Sequence, residues 1–236
     1  MNKLIQYFPS LTNSQISQYE NLIDLYKYWN SKINLISRKD INEIEIRHLI
    51  HSLSISKIFS FNENSNILDV GTGGGFPGIP LAIMFPNVNF HLTDSIGKKI
   101  KVVNVIIKDL DLKNVYAEQI RSENVTNNYD FIVNRAVTNM TNLLSLIGNK
   151  FSKTNNHSSF KNGIISLKGG DLKNELSSFQ NVEIFELNKF FKEIFFETKN
   201  TTRDNITTIS LIRYPASFKT PTGKIIVLAI KAAKVA

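Results

Sequence analysis

The 236-residue chain contains no cysteine. That removes disulfides, thiolate zinc sites, iron–sulfur clusters and a cysteine nucleophile from consideration. Long apolar runs are missing too. Ile225–Ile230 is among the longest, far short of the roughly 20 residues a membrane-spanning helix needs. Only a few apolar residues separate Lys3 from Pro9, too few for the core of a signal peptide. A cytoplasmic protein without membrane association is expected. The 4 histidines are His48, His51, His91 and His157. His48 and His51 lie three apart on a helical segment, but no third ligand is spaced to join them, so no metal is expected. Acid is the scarcer charge: 20 Asp and Glu against 28 Lys and Arg leave a net +8, a moderate pointer to a polyanionic partner. The surplus is uneven, because Arg203, Arg213, Lys219, Lys224, Lys231 and Lys234 face only Asp204 after residue 200.

What is present reads as an ordinary globular composition, 42% hydrophobic and 20% charged, long enough for one α/β domain with a modest extension. Residues 11–30 place Ile16, Tyr19, Leu22, Ile23, Tyr26 and Trp29 at three- and four-residue steps, which predicts a helix capped by Thr12 or Ser14. Residues 38–59 predict one or two more helices, with Asp40 as cap and Ile41, Ile44, Leu49 and Leu53 facing inward. From about residue 64 short β-branched runs alternate with helical segments. Candidate strands are Asn66–Val70, Val88–Thr93, Val115–Glu118, Phe131–Asn134 and Ile164–Lys168; helices fall around 79–85, 97–110, 138–151 and 171–179. This alternation predicts a mostly parallel sheet of the seven-stranded type with helices on both faces. A polar loop is expected over 154–163, and "VEIFELNKFF", "NITTISLI" and "KIIVLAI" are strand-like, including an antiparallel edge pair. The organisation expected is a helical extension (1–60), an α/β domain (61–200) and a basic C-terminal extension (201–236).

The decisive stretch is "ILDVGTGGGFPGIP", residues 67–80. A phosphate-binding P-loop needs Lys-Ser or Lys-Thr after its last glycine, where Ile79-Pro80 stands. A dinucleotide fingerprint begun at Gly71 fails at Phe76. Begun at Gly73 it fits Gly73, Gly75 and Gly78, but leaves a long gap after the strand and puts Pro77 inside the turn. The third template is an acid followed by alternate glycines at the end of a first strand: Asp69, Gly71, Gly73 and Gly75. This is the form of class I methyltransferases. Absent Cβ atoms let S-adenosylmethionine approach the backbone, and the acid accepts from the cofactor's ammonium, directly or through water. Asp94, ending the second strand, is placed to bind ribose hydroxyls or to cap the helix that follows.

In order and spacing, "NLISRKDINEIEIRHLIHSL", "DVGTGGGFPGIPLAI", "LTDSIGKKIKVV", "NRAV" and "LKGG" resemble the bacterial RsmG (GidB) family, over about residue 5 to Lys199. These are small-subunit ribosomal RNA guanine-N7 methyltransferases, so the resemblance implies a class I (Rossmann-like) fold, S-adenosyl-L-methionine as cofactor, and 16S ribosomal RNA or the 30S subunit as partner. It further implies that Gly71 and Phe76 contact the cofactor while Gly73 and Gly75 shape the loop. Ser122 and Glu123 match a pair framing the adenine, and Arg135 a cofactor- and site-lining arginine. Lys168 and Gly169 match the strand end beside the substrate, giving Arg135 and Lys168 positioning roles in catalysis. Arg47 and His48 match an Arg-His pair facing the site. Two features depart from the family: His51 stands where many members carry an acid, and the chain runs on to Ala236.

Lys98 and Lys99 would add to a basic rim that holds RNA phosphates. Methylation of guanine N7 needs no general base, because N7 carries an unprotonated lone pair at neutral pH; alignment is what remains. The alternatives are a same-fold methyltransferase acting on a small molecule or protein, and a non-catalytic nucleic-acid-binding module. Length and composition fit a monomer.

Overall fold

The computed structural model describes residues 1–152, 162–169, 172–179, 182–197, 208–213 and 224–229. Most of the expected 154–163 loop, together with Arg203, Lys219, Lys231 and Lys234, lies outside the described residues.

The chain opens with α1 (Asn2–Tyr7) and α2 (Asn13–Asn30). α2 starts where its first free backbone donors find partners: Thr12 Oγ1 accepts from the Gln15 amide at 3.2 Å, and Gln15 Oε1 accepts from the Thr12 amide at 3.0 Å. This reciprocal capping box satisfies two groups at once, and of the two caps expected Thr12 is the one used. Tyr19, Leu22 and Tyr26 form the buried stripe of α2. After it, Asn30 Oδ1 accepts from both Leu35 and Ile36 amides at 2.9 Å and turns the chain back.

Residues 41–57 differ from the regular helices expected. They run as a 3-10 turn (Ile41–Glu43), a π-helical turn (Glu45–Ile50), the short α3 (His51–Leu53) and a second 3-10 turn (Ser54–Lys57). Asp40 does not cap this segment: its carboxylate accepts from the Ser37 hydroxyl and pairs with Arg47 at 3.4 Å. Ile44, Leu49 and Leu53 still point inward, because π and 3-10 turns change the pitch without removing a buried stripe.

The sheet contains β1 (Asn66–Val70), β2 (Asn89–Asp94), β3 (Val115–Gln119), β4 (Phe131–Arg135) and β5 (Gly163–Lys168). They pair in parallel in the order β3-β2-β1-β4-β5. β1, β4 and β5 are covered on both faces, which is why they read as continuous apolar runs; Ile67, Leu68, Phe131, Ile132, Val133, Ile164 and Ile165 are all fully buried. The helices α4 (Gly78–Met84), α5 (Gly97–Asp109), α6 (Met140–Ile147) and α7 (Leu172–Leu176) connect or follow the strands. Leu4, Tyr19, Leu22, Tyr26, Leu49 and Leu53 from the N-terminal segment join the same hydrophobic core as the strands.

Beyond β5 come β6 (Val182–Glu186), β7 (Thr208–Arg213) and β8 (Lys224–Ala229), giving eight described strands where a seven-stranded type was expected. β8 registers in parallel with β5 and β6, and β7 antiparallel with β6 and β8. Both strand-like C-terminal segments thus add to the same side of β5.

Chain direction across the sheet reverses between β1 and β4: β2 and β3 extend one way, β4 and β5 the other. Such a switch point leaves a crevice at the carboxyl ends of the strands, where doubly wound folds bind ligands. As a check on the local reading, Thr12→Ala should lower stability by about 1 kcal/mol, seen as a lower urea midpoint at unchanged m-value.

Candidate active site

β1 delivers Asp69 into the core one residue before the glycine turn. Its carboxylate is fully buried. Oδ2 accepts from the Thr72 hydroxyl at 2.6 Å and from the Gly78 amide, the first residue of α4, at 2.9 Å. Oδ1 is buried with no hydrogen-bond partner among the described residues. Burial pushes the Asp69 carboxyl up to about 7 against the opposing pull of its two donors. Asp69 was expected to serve the cofactor; half of it holds the loop instead, tying the end of β1 to the start of α4.

Gly71, Gly73 and Gly75 all adopt left-handed backbone with φ of +65°, +59° and +95°. At Gly71 a Cβ would also lie 2.8 Å from Val137 Cγ2. At Gly78 a Cβ would meet Asp69 Oδ2 and Leu92 at 2.7 Å, so only glycine lets the carboxylate reach that amide.

Asp94 grips the turn from the other side. Its Oδ2 accepts from the Gly73 amide and its Oδ1 from the Ile96 amide, both at 2.8 Å. Asp94 therefore stabilises the entry to α5 and fixes the loop at the same time. A cavity of about 330 Å³ opens above it at the carboxyl ends of β1 to β4. It brings together five residues singled out from the sequence, Gly71, Asp94, Ser122, Glu123 and Arg135. Its apolar wall includes Ile120, Val137 and Leu146, which the sequence reading missed; an isoleucine just before a matched Ser-Glu pair was the available signal for the first.

Arg135 ends β4. Its Nη2 lies 2.8 Å from His48 Nδ1, and Nη1 donates to the Arg47 carbonyl at 3.5 Å. Its guanidinium sits 4.8 Å from the centroid of Phe76, whose opposite neighbour is Tyr26 at 4.6 Å. Tyr26 in turn donates its hydroxyl to the Gly74 carbonyl at 2.5 Å. Phe76 is buried in this stack and does not line the cavity. Burial lowers Arg135 to about 10, with Asp69 the chief opposing influence, so it stays charged at neutral pH. Burial, reinforced by the Arg135 charge, lowers His48 to about 2 and keeps it neutral. Tyr26 and Thr72 were not singled out as site residues from the sequence; Tyr26 acts through the Gly74 carbonyl and Thr72 through the Asp69 carboxylate, contacts that only the folded chain brings together.

The remaining expected residues are more scattered. Arg47 pairs with Glu43 at 3.0 Å and Asp40 at 3.4 Å, and lies over Phe195. Lys98 is exposed and Lys99 half-buried on the first turn of α5. Lys168 departs most from its expected role. It is 6% exposed, and Nζ donates to the Thr138 carbonyl and to Glu175 Oε1, each at 2.6 Å. The same Glu175 oxygen accepts from the Met140 amide at 2.6 Å. Lys168 is a strut joining β5, α7 and the start of α6, and it is absent from the cavity wall.

A parallel sheet with this switch point, and a glycine turn held by acids from two neighbouring strands beneath a cavity, define a class I methyltransferase fold. Residues 13–204 match the family described as GidB, rRNA small subunit methyltransferase G. Curated relatives agree over nearly their whole length. The chain is similar at 55% identity over 199 residues, 84% of this chain and 95% of the relative, to "Ribosomal RNA small subunit methyltransferase G" of Flavobacterium psychrophilum. A protein of the same name in Christiangramia forsetii is 56% identical over 83% of this chain and 92% of its own. The chain belongs to this family.

The strut reading of Lys168 separates from a catalytic one by stability. Glu175→Ala leaves a buried ammonium without its counter-ion and should cost about 3 kcal/mol. Lys168→Met, which removes the charge and keeps the volume, should cost clearly less in the same denaturation series.

Proposed function

We propose that the protein transfers a methyl group from S-adenosyl-L-methionine to N7 of a guanine in small-subunit ribosomal RNA, acting as a cytoplasmic monomer without a metal. The observation that supports it best is the intact loop and cavity in a chain so similar to proteins bearing that name. In this reading residues 1–60 are a helical extension and 61–200 the methyltransferase domain, whose sheet also takes in β7 and β8 from the basic segment 201–236.

The residues fit the cofactor. Gly71 lines the cavity with its backbone, and both its left-handed φ and the Val137 side chain beside it require glycine there. Asp69 is fully buried and does not itself line the cavity, so its unpartnered Oδ1 would serve the ammonium through a water rather than directly. Asp94 would hold the ribose hydroxyls, and Ser122, Glu123 and Ile120 would frame the adenine. Phe76 and Arg135 back the loop. When bound, the cofactor would supply an electrophilic methyl group on a sulfonium, with the sulfur as leaving group for attack by the N7 lone pair. No proton moves, so the chain contributes positioning and no base. Arg47, His48, Lys98 and Lys99 form the RNA side. The ion pairs of Arg47 with Asp40 and Glu43 are partly open to solvent, so a phosphate can compete for its guanidinium.

The test is methyl transfer from labelled cofactor to small subunits lacking the modification. Label mapped to one guanine supports the reading; binding without RNA labelling favours a small-molecule or protein substrate. Asp69 adds a pH signature. Its carboxyl, raised to about 7, must ionise to face an ammonium, so binding releases a proton. Cofactor affinity should therefore rise with pH up to about 7, by at most about tenfold per unit, and then level off. Asp69→Asn should bind weakly and lose the slope.

A further inference from the structure

N7 is a hydrogen-bond acceptor in guanine and in adenine alike, so a site built around N7 cannot tell them apart by that atom. The difference on this edge is the neighbouring position: guanine has the acceptor O6, adenine the donor N6 amino group. Discrimination needs a donor that cannot turn into an acceptor. A free histidine fails this requirement, because its two neutral tautomers exchange donor and acceptor.

His48 is not free. A guanidinium has donors only, so the nitrogen 2.8 Å from Arg135 Nη2, His48 Nδ1, must accept. The proton of the neutral ring is then assigned to Nε2. The lock is stiff, because Arg135 is itself held by the Phe76 face and the Arg47 carbonyl, and Phe76 by Tyr26. The ring lies 5.0 Å from Phe76, on the π-helical turn, an irregular turn frequent at functional sites. Among the described residues Nδ1 has the Arg135 contact and none is found for Nε2; His48 is half-buried and stands behind the cavity wall, which it reaches through Arg135.

We propose that His48 is a specificity-determining residue whose Nε2–H donates to O6 of the target guanine, turning N7 toward the methyl group and setting a donor against the N6 amino group of adenine. This rests on the proposed guanine-N7 activity. Arg135 acts here as a positioning residue: it fixes which nitrogen of His48 carries the proton.

The test pairs an atom change in the RNA with a change in the protein. Small subunits are assembled with guanine, adenine or 2-aminopurine at the target; 2-aminopurine keeps N7 and lacks O6. Wild type should lose about 10- to 100-fold in kcat/KM on 2-aminopurine. His48→Ala should lose a similar factor on guanine and show little further loss on 2-aminopurine. His48→Gln, whose amide can present either oxygen or N–H, should recover part of the guanine rate and raise the adenine-to-guanine ratio about tenfold. Cofactor Kd should stay within about twofold in both variants, which separates base reading from a collapsed site. Equal wild-type rates on guanine and 2-aminopurine, or fully additive losses, would overturn the role of His48 and leave the proposed function standing. No labelling of rRNA by wild type would overturn both.

Discussion

The buried carboxylate of Asp69 is the constraint on which the site depends. It cannot be solvated, so its geometry is dictated by the donors available to it. Thr72 and Gly78 reach the same oxygen, at 2.6 and 2.9 Å, and together they force seven residues of loop to return to the strand end they left. A buried carboxylate with one oxygen unpaired is costly. Two features reduce that cost: burial raises its affinity for a proton, and the Arg135 charge lies close enough to oppose that rise. The loop is stiff because its anchor sits in the core, and it is poised because that anchor is half satisfied.

The other wall is built by the N-terminal segment. Tyr26 bonds the Gly74 carbonyl and stacks on Phe76, while the Leu35 carbonyl would lie 3.3 Å from a Cβ at Gly74. The turn between β1 and α4 is thus clamped from inside by Asp69, from the sheet by Asp94 and from outside by α2. α2 is no detachable appendage in this respect: its buried stripe belongs to the common core, and its last turns carry the groups that set the path of the loop. Truncation of this segment would change the glycine turn as well as the wall that carries Arg47 and His48.

Much of this was legible in the sequence. β1 was placed at Asn66–Val70 as observed, and the next four strands within about a residue; β1, β4 and β5, buried on both faces, declare themselves as apolar runs, while the largely exposed β3 was found from its place in the strand–helix alternation. Gly71 and Asp94 followed from reading the ends of the first two strands, whereas Ser122, Glu123 and Arg135, which line the same cavity, came with the family resemblance. Two things were not legible. In residues 41–57 the apolar spacing is near helical whether the turn is α, π or 3-10, so periodicity does not distinguish them. For Lys168 the partner decides the role: Glu175 is only seven residues on, but the Thr138 carbonyl and Met140 amide that complete the junction come from the other side of β5 in sequence. A strand-end lysine looks the same whether it faces substrate or closes a buried ion pair.

The state of His48 shows how the two walls act on one another. A protonated histidine is a stronger donor than a neutral one, so a cationic His48 would hold a purine oxygen more tightly. It would also place a second positive charge beside Arg135, next to a base that becomes cationic when methylated at N7. A neutral ring with its proton confined to Nε2 keeps the donor and avoids the charge. One contact produces both properties, since the guanidinium repels a proton from the ring and occupies the only other nitrogen where one would sit. The charge on Arg135 is sustained in turn by the nearby Asp69 carboxylate, which opposes the lowering caused by burial. The carboxylate that shapes the cofactor loop therefore also helps decide, through Arg135, which face His48 shows to a base.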